Sequence, residues 1–418
     1  MVHKFWNDKP LQVIHENEKQ KEDSCSLVQT EHGFEKPTVS NSLDWSEMNE
    51  ECEDSEISEL TIFIQEHYMQ TGFPFQIVYS IDHIRHELST KPSKIILLRQ
   101  RIHARERKDE AEAETEAKGK GSIIACIMGS VRQYELNLGG KTTKAKSKID
   151  LCDTLLINFL CVHKKFRHLR LAPAMITEIS RRANEDWGIQ KAYYISLAEL
   201  PNPFCKASYH HRILDTKRCE LSKYYSANET ERERWSTSLV ESKRKYHVQW
   251  VAKGPSGGPS GGATVDCSTL NKIVDIVNTF QTTNKQLYEL LTVEALKRVL
   301  ESPIMDSCIV YDKLKGDVVA FISVSHQHYR VCVESDFPKD DHLKTVVIYQ
   351  YGFVDMDDAV PIMREVFAES SAVKWDVFTT TDSDIIDQNY IGGHSFYHYM
   401  YNVRMFEMRS HKVTLCGL

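Results

Sequence analysis

At 418 residues the chain holds enough material for several domains of ~100–200 residues, or for one large two-lobed unit. Its 41% hydrophobic and 27% charged content excludes wholesale disorder and the collagen-like and coiled-coil classes. With 52 basic against 59 acidic side chains, a net charge of −7, it carries no nucleic-acid footprint.

The 11 cysteines are odd in number, too sparse for a disulfide scaffold and without a CxxC pair at zinc-finger spacing. They read as reduced thiols of a cytoplasmic protein. The apolar runs stop well short of the ~18 residues of a membrane span, and MVHKFWNDKP lacks the hydrophobic region of a signal peptide.

Residues 1–55 read as a polar arm over a core that begins near Leu60, with Phe5, Trp6 and Trp45 as anchors. From Glu56 to Gln70 the apolar residues Ile57, Leu60, Ile64 and Tyr68 recur every three or four positions, predicting a helix. Two β-branched runs, Lys94–Ile102 and Ser122–Val131, predict paired strands around the charged stretch Arg105–Lys118. Leu155–Val162 (LLINFLCV) has buried-strand length; a basic turn, His163–Arg170, follows it. The next helix is expected to open on Pro173, whose missing donor is harmless at a first helical position, and to bury Leu171, Met175, Ile176, Ile179 and Ala183. Lys191–Leu197 predicts another strand.

GPSGGPSGG at 254–262 is a flexible linker by composition. It divides a lobe at 56–253 from one at 265–418, with the linker taken as 254–264. Beyond it, helices are expected at Ser268–Phe280 and Thr292–Leu300, and strands at Ser307–Tyr311 and Val318–Ser325 across a Lys315-Gly316 turn. Strand Thr345–Phe353, helix Asp358–Glu369 and strand Trp375–Thr379 then repeat the succession of the first lobe. The fold expected is therefore α/β (α+β), two pseudo-equivalent lobes of mixed sheet flanked by helices.

The most informative segment is NFLCVHKKFRHLRLAPAMI, Asn158–Ile176, where an apolar strand runs through a basic turn into a helix. Free amides at a helix N-terminus, small Ala172 and cationic Lys165, Arg167 and Arg170 suit a pyrophosphate. R-x-x-R-x-A at that junction resembles the coenzyme A loop of the GNAT-type N-acyltransferases. At several ordered places the chain also resembles the N-myristoyltransferase (glycylpeptide N-tetradecanoyltransferase) family. These are HKFWNDKP at His3–Pro10, NFLCVHKKFR with R-L-A-P at Arg170–Pro173, L-P-x-P at Leu200–Pro203 with Tyr209-His210-His211-Arg212, Asp376-Val377-Phe378, Tyr399-Met400-Tyr401-Asn402, and the end VTLCGL.

The resemblance implies transfer of a tetradecanoyl group from myristoyl-CoA, a co-substrate, to the N-terminal glycine of proteins or nascent peptides. It implies no permanently bound cofactor, no metal, and a monomer in the cytoplasm. A buried tetradecanoyl chain offers on the order of 10 kcal/mol before costs, so a deep apolar slot is expected, lined by Ile157, Phe159 and Leu160. By resemblance the donor contacts Phe5, Trp6, Val162, Lys165, Arg167, His168, Arg170, Leu171 and Ala172. The backbone N–H groups of Phe159 and Leu160 receive the oxyanion, which requires a β-bulge there. The carboxylate of Leu418 is the base that deprotonates the amine, and Asn158 orients that amine. The peptide groove is assigned to Tyr79, Tyr209, His211, Ser323 and Tyr399.

The chain departs from the family pattern mainly on the acceptor side. Met69-Gln70-Thr71-Gly72-Phe73 replaces an acidic run, Ile195-Ser196-Leu197 a Thr-Ala-Gly, and Gly392-Gly393-His394 a Gly-Asp-Gly loop. Leu169 replaces a phosphate-loop lysine, and His210 a tryptophan. The rival reading is accordingly a catalytically weak acyl-CoA-binding relative, or a GNAT-type N-acyltransferase with altered donor or peptide preference. A metal enzyme built on His326-x-His328 or on His394 and His398 lacks a third ligand by spacing. A nucleophilic Cys161 or Cys205 is poorly supported, since Cys161 sits inside an apolar strand.

Overall fold

The computed structural model describes residues 13–14, 26–27, 35–68, 73–90, 92–101, 121–137, 148–240, 245–251, 265–370 and 373–414. Phe5, Trp6, the 105–118 stretch, the 254–264 linker and Leu418 lie outside the described residues.

The strands are β1 (Val13–Ile14), β2 (Ser26–Leu27), β3 (Leu43–Met48), β4 (Phe75–Ile77), β5 (Ser93–Gln100), β6 (Ile123–Asn137), β7 (Lys148–Val162), β8 (Ala192–Ser196), β9 (Cys205–Ile213) and β10 (Tyr246–Trp250). There follow β11 (Leu287–Glu289), β12 (Met305–Asp312), β13 (Val318–His326), β14 (Tyr329–Val331), β15 (Thr345–Phe353), β16 (Val377–Thr380), β17 (Ile391–Tyr401), β18 (Val403–Phe406), β19 (Met408–Arg409) and β20 (Val413–Thr414). The helices are α1 (Asp54–His67), α2 (Ile81–Leu88), α3 (Leu171–Trp187), α4 (Thr216–Leu221), α5 (Glu229–Val240), α6 (Cys267–Asn284), α7 (Val293–Glu301) and α8 (Ala359–Glu369).

One mixed sheet of 15 strands runs β10-β12-β13-β15-β16-β9-β17-β8-β7-β6-β11-β20, with β5 and β3 branching from β6 and β19 lying on β9. The two halves of the chain interleave in it. β9, from the first half, is held between β16 and β17 of the second, and β17 lies between β9 and β8. A small ribbon, β14 against β4, ties the halves again.

β5 is apolar without alternation because both of its faces are covered. Ile95 and Leu97 pack with Leu60, Ile64, Ile84 and Leu88 of α1 and α2. Ile96 and Leu98 pack with Met175 and Ile179 of α3 on the other face. At the crossing of α3 over β6 stands Gly129, where an added Cβ would lie 2.9 Å from Leu155 Cδ1 and 3.2 Å from Ile179. Gly352 does the same beneath α6, whose Val277 backbone would be 2.6 Å away.

The repeated succession is visible in the pairing. β7 crosses through α3 to the parallel strand β8, and β15 crosses through α8 to the parallel strand β16. Several expectations need correction. The core begins before Leu60, since β3 pairs with β5 and buries Met48. α3 starts at Leu171, placing Pro173 third; the first turn has no intrahelical acceptors for its N–H groups, so proline fits there equally well. The β6–β7 hairpin is longer at its far end than the apolar runs indicated. Strands β9 and β17 were not anticipated, because CKASYHHRI and IGGHSFYHYMY are too polar to read as apolar runs.

Candidate active site at the β7 bulge

The candidate centre is where β7 loses both neighbours. On the β6 side the register passes from Cys126↔Cys161 to Met128↔Asn158, so Phe159 and Leu160 together face the single residue Ile127. This is a β-bulge, and Phe159 adopts a left-handed φ of +48°. On the β8 side, pairing ends at Leu156↔Tyr193, while β7 continues to Val162. Phe159 and Leu160 thus have no partner residue on either neighbouring strand. The bulge expected at these residues is present, and the parting of β7 from β8 opens the sheet beside it.

Phe159 is buried, edge-on to Tyr79 at 5.3 Å and to Tyr68 at 5.9 Å. Its carbonyl accepts from Cys126 Sγ at 3.2 Å. Leu160 and Asn158 are half-buried. The Asn158 side chain lies beside the fully buried carboxylate of Glu87, yet its Nδ2, and Glu87 Oε1 likewise, make no hydrogen bond. Glu87 Oε2 faces Arg132 Nη2 at 3.5 Å, and Arg132 Nη1 faces Glu289 Oε1 at 3.6 Å. Burial raises the Glu87 carboxyl above its ordinary range, and the charge of Arg132 pulls it the other way.

From Val162 the chain enters a 3-10 turn, Lys164–Leu169, capped by Arg170 at a φ of +53° before α3 begins. The first turn of α3 has no acidic residue. Lys165, Arg167, His168 and Arg170 are exposed, Ala172 and Val162 half-buried and Leu171 buried. A free helix N-terminus among cations is an anion site. Arg167 also braces the turn, its Nη2 donating to His67 O at 2.6 Å and its Nε to Val162 O at 3.3 Å. Burial and nearby cations keep the His163 and His67 imidazoles, 4.0 Å apart, below their ordinary pKa. The equivalent turn before α8 carries Asp355, Asp357 and Asp358, so the second crossover repels an anion where the first attracts one.

The proposed peptide residues fall into two groups. Tyr79, Tyr209 and His211 belong to an aromatic wall: Tyr209 stacks on Phe396 at 4.7 Å, and His211 meets Tyr224 at 6.0 Å. Tyr224 meets Tyr329 at 6.2 Å, and Tyr329 meets Phe75 at 6.1 Å. Tyr79 has Tyr68, Tyr209 and Tyr329 as electrostatic neighbours, which joins the bulge to this wall. Burial pushes the Tyr68 hydroxyl up to about 12 and the His211 ring down to about 4, so the wall is neutral. Gly393 is required there, because a Cβ would come within 2.2 Å of His211 Nε2.

Ser323 and Tyr399 do not join the wall. Ser323 is fully buried on β13, separated from β9 by β15 and β16, and accepts from Ser307 Oγ. Tyr399 is equally buried; its hydroxyl accepts from Leu200 N at 2.6 Å and donates to Leu200 O at 3.0 Å. Tyr68, Phe75, Tyr224, Tyr329, Phe396, Glu87 and Arg132 were missed by sequence reasoning. Of these only Tyr68 carried a signal, at the end of the α1 periodicity.

His326 and His328 stack at 5.0 Å, but His326 Nε2 is bound to Asp306 Oδ2 at 2.8 Å and His328 Nδ1 to Thr345 O. No cluster able to hold a metal occurs among the described residues. No described helix is long and apolar enough to cross a membrane. Near the last described residue, Lys285 Nζ donates to Asp382 Oδ2 at 2.6 Å and to His411 O at 2.8 Å. β20 pairs there in parallel with β11, itself on β6.

Residues 27–207 match the family model described as Myristoyl-CoA:protein N-myristoyltransferase, N-terminal domain. The chain is similar to the glycylpeptide N-tetradecanoyltransferase of Emericella nidulans, 26% identical over 268 residues, which is 60% of this chain and 51% of that protein. It is also similar to the enzyme of that name from Candida albicans, 37% identical over 95 residues, 23% of this chain and 19% of that one. The chain thus spans about half the length, or less, of the curated relatives it matches. Its fold is similar to that of Saccharomyces cerevisiae N-myristoyltransferase with bound myristoyl-CoA, with a TM-score of 0.74 and 17% identity over 100% of this chain and 95% of that one. Bulge, basic turn and helix all lie within the segment that matches the family model, and over that segment the chain is similar to the N-myristoyltransferases.

Proposed function

We propose that the protein transfers a tetradecanoyl group from its CoA thioester to the α-amine of an N-terminal glycine. The observation that carries this reading is the bulge at Phe159–Leu160, unpaired on both sides and joined through Val162 to a basic helix N-terminus. The relatives that the chain matches bear the name of this activity. The pyrophosphate of the donor rests on the α3 N-terminus with Lys165, Arg167, His168, Arg170, Leu171 and Ala172. Its thioester carbonyl reaches the amides of Phe159 and Leu160, and Phe5 and Trp6 cover it.

The glycine amine attacks the carbonyl carbon. A C–N bond forms, and the oxygen carries negative charge toward the two amides, each worth about 2.7–4 kcal/mol in such a site. The C–S bond then breaks and CoA leaves as its thiol. An α-ammonium with a pKa of ~7.7–8.0 must first lose a proton. The Leu418 carboxylate takes that role; four residues beyond Thr414 reach at most ~13–14 Å. Asn158 orients the amine, and Tyr79, Tyr209 and His211 hold the peptide. The substrates are proteins or nascent peptides, and the enzyme acts as a cytoplasmic monomer.

Mass spectrometry of a Gly-starting peptide incubated with the protein and myristoyl-CoA tests this reading; a gain of one tetradecanoyl mass is expected. Tight donor binding with no mass gain on any peptide would replace it with an acyl-CoA-binding relative. A GNAT-type enzyme of altered preference would give a gain with another acyl length or another amine. Deleting Leu418 should slow turnover at least a hundredfold, on the order of a lost catalytic base, and leave donor affinity unchanged.

A further inference from the structure

Two large aliphatic side chains stand uncovered where the sheet opens. Ile195 on β8 is 41% exposed, and Leu197, one residue past the end of that strand, is 61% exposed. Aliphatic side chains scattered singly over a surface are ordinary. These two stand together beside the gap that begins after the Leu156–Tyr193 pair, and the strand registers fix which side of the sheet they serve.

Directly paired residues share a face of a sheet, as do residues two apart on one strand. Leu156 pairs with Tyr193, so Asn158 and Ile195 project from the same face, level with each other across the gap. Tyr194, between Tyr193 and Ile195, takes the opposite face and packs into the cluster under α3. On the other side of β8, Ile195 pairs with His398 of β17. Phe396, two residues before His398, lies 5.0 Å from it and 4.7 Å from Tyr209 of β9. The aromatic wall and Ile195 are therefore one continuous face, with Asn158 at its edge. The strand order β9-β17-β8-β7 puts Ile195 between the wall and the bulge.

A peptide that presents its N-terminus to the bulge and lies along the wall has to cross β8. One strand spacing of ~4.7–4.9 Å takes one to two residues of extended chain at ~3.3 Å each, which sets the residue directly after the glycine over Ile195. An aliphatic floor gains from apolar cover and strips water from a polar one. The neighbouring His398 Nδ1 is already taken up by the Tyr193 hydroxyl at 2.6 Å. Resting on the transfer reading above and deepening it, we infer that Ile195 is a specificity-determining residue that selects acceptors with a large apolar side chain directly after the N-terminal glycine, with Leu197 widening the same floor.

The test compares acyl transfer to peptides that differ only in their second residue, Gly-Leu against Gly-Ser, and to a matched pair varied only at the third. The wild-type chain should favour Gly-Leu about tenfold in kcat/KM, the low end of what a hydrophobic contact yields. Ile195→Ser should bring that ratio to about twofold or less, and Ile195→Leu should keep it. Myristoyl-CoA affinity, measured for each variant, reports that it has folded. A ratio unchanged in I195S, or a preference seen at the third position and not the second, would overturn the inference and leave the proposed function standing. Lowered stability of I195S with the preference intact would overturn it too, since the protein's own chain would then cover Ile195. If the wild-type chain acylates no peptide, the proposed function falls. Fluorescence anisotropy of the labelled peptides on myristoyl-CoA-loaded protein then decides the subsite: tighter binding of Gly-Leu that I195S abolishes supports it, and equal affinities refute it.

Discussion

Four histidines make the fold sensitive to mild acid. Burial pushes His86, His211 and His328 down to about 4 and His398 down to about 3. His398 is 7% exposed, and its Nδ1 lies 2.6 Å from the Tyr193 hydroxyl; His86 is 8% exposed and packs edge-on to Tyr349 at 5.9 Å. In the unfolded chain each ring takes a proton near pH 6.5, whereas in the fold it stays neutral until far lower. Their contribution is therefore complete above pH 6.5 and is lost as pH falls toward 4. Between pH 7 and pH 5 each fully buried ring withdraws about 2 kcal/mol. His86 and His398 together withdraw about 4 kcal/mol, and the half-buried His211 and His328 add somewhat less. Against a total stability of ~5–15 kcal/mol that is a large fraction. Thermal unfolding followed by calorimetry from pH 7.5 to 5 should show a midpoint falling steeply below pH 6.5. His398→Gln, which can still accept from Tyr193, should flatten that fall by roughly a quarter. A midpoint flat to pH 5, or a slope unaltered in H398Q, would refute the burial argument.

The bulge makes a second prediction. Phe159→Ala and Phe159→Gly both lose about 3–5 kcal/mol of packing, but the left-handed φ penalises alanine by ~1–2 kcal/mol. Glycine should therefore be the more stable variant in guanidinium unfolding, against the usual strand order; the usual order would mean that φ is not positive there. Lys285→Met strands the Asp382 carboxylate and should cost about 3–5 kcal/mol, read as a lowered melting midpoint. Because Lys285 also binds His411 O, acyl transfer should fall further than donor affinity in that variant. Lys165→Ala should weaken CoA binding about fivefold, as expected of one exposed ion pair of ~1 kcal/mol, with the difference shrinking at high salt in calorimetric titrations.

Local features were legible in the sequence, and long-range ones were not. The strand at Leu155–Val162, the basic turn and the amphipathic α3 were readable because each rests on residues close in sequence. The bulge was anticipated from family resemblance alone; nothing in LLINFLCV announces a left-handed Phe159. Glu87 and Arg132 lie 45 positions apart, in helix and strand patterns that gave no reason to pair them. The aromatic wall joins Phe75, Tyr209, Tyr224 and Tyr329 from β4, β9, a loop and β14. Only the fold makes them neighbours. The duplicated succession of elements was readable, but its interleaving was not, since the partners of β9 come from more than 160 residues away.

That interleaving governs how the protein can be divided. A cut between positions 254 and 262 should leave two fragments that stay associated, since β9 remains hydrogen-bonded to β16 and β17. Either fragment made alone would expose long unsatisfied sheet edges and aggregate. Made together in one cell, the two pieces should reassemble, which gives this protein a natural split point for complementation.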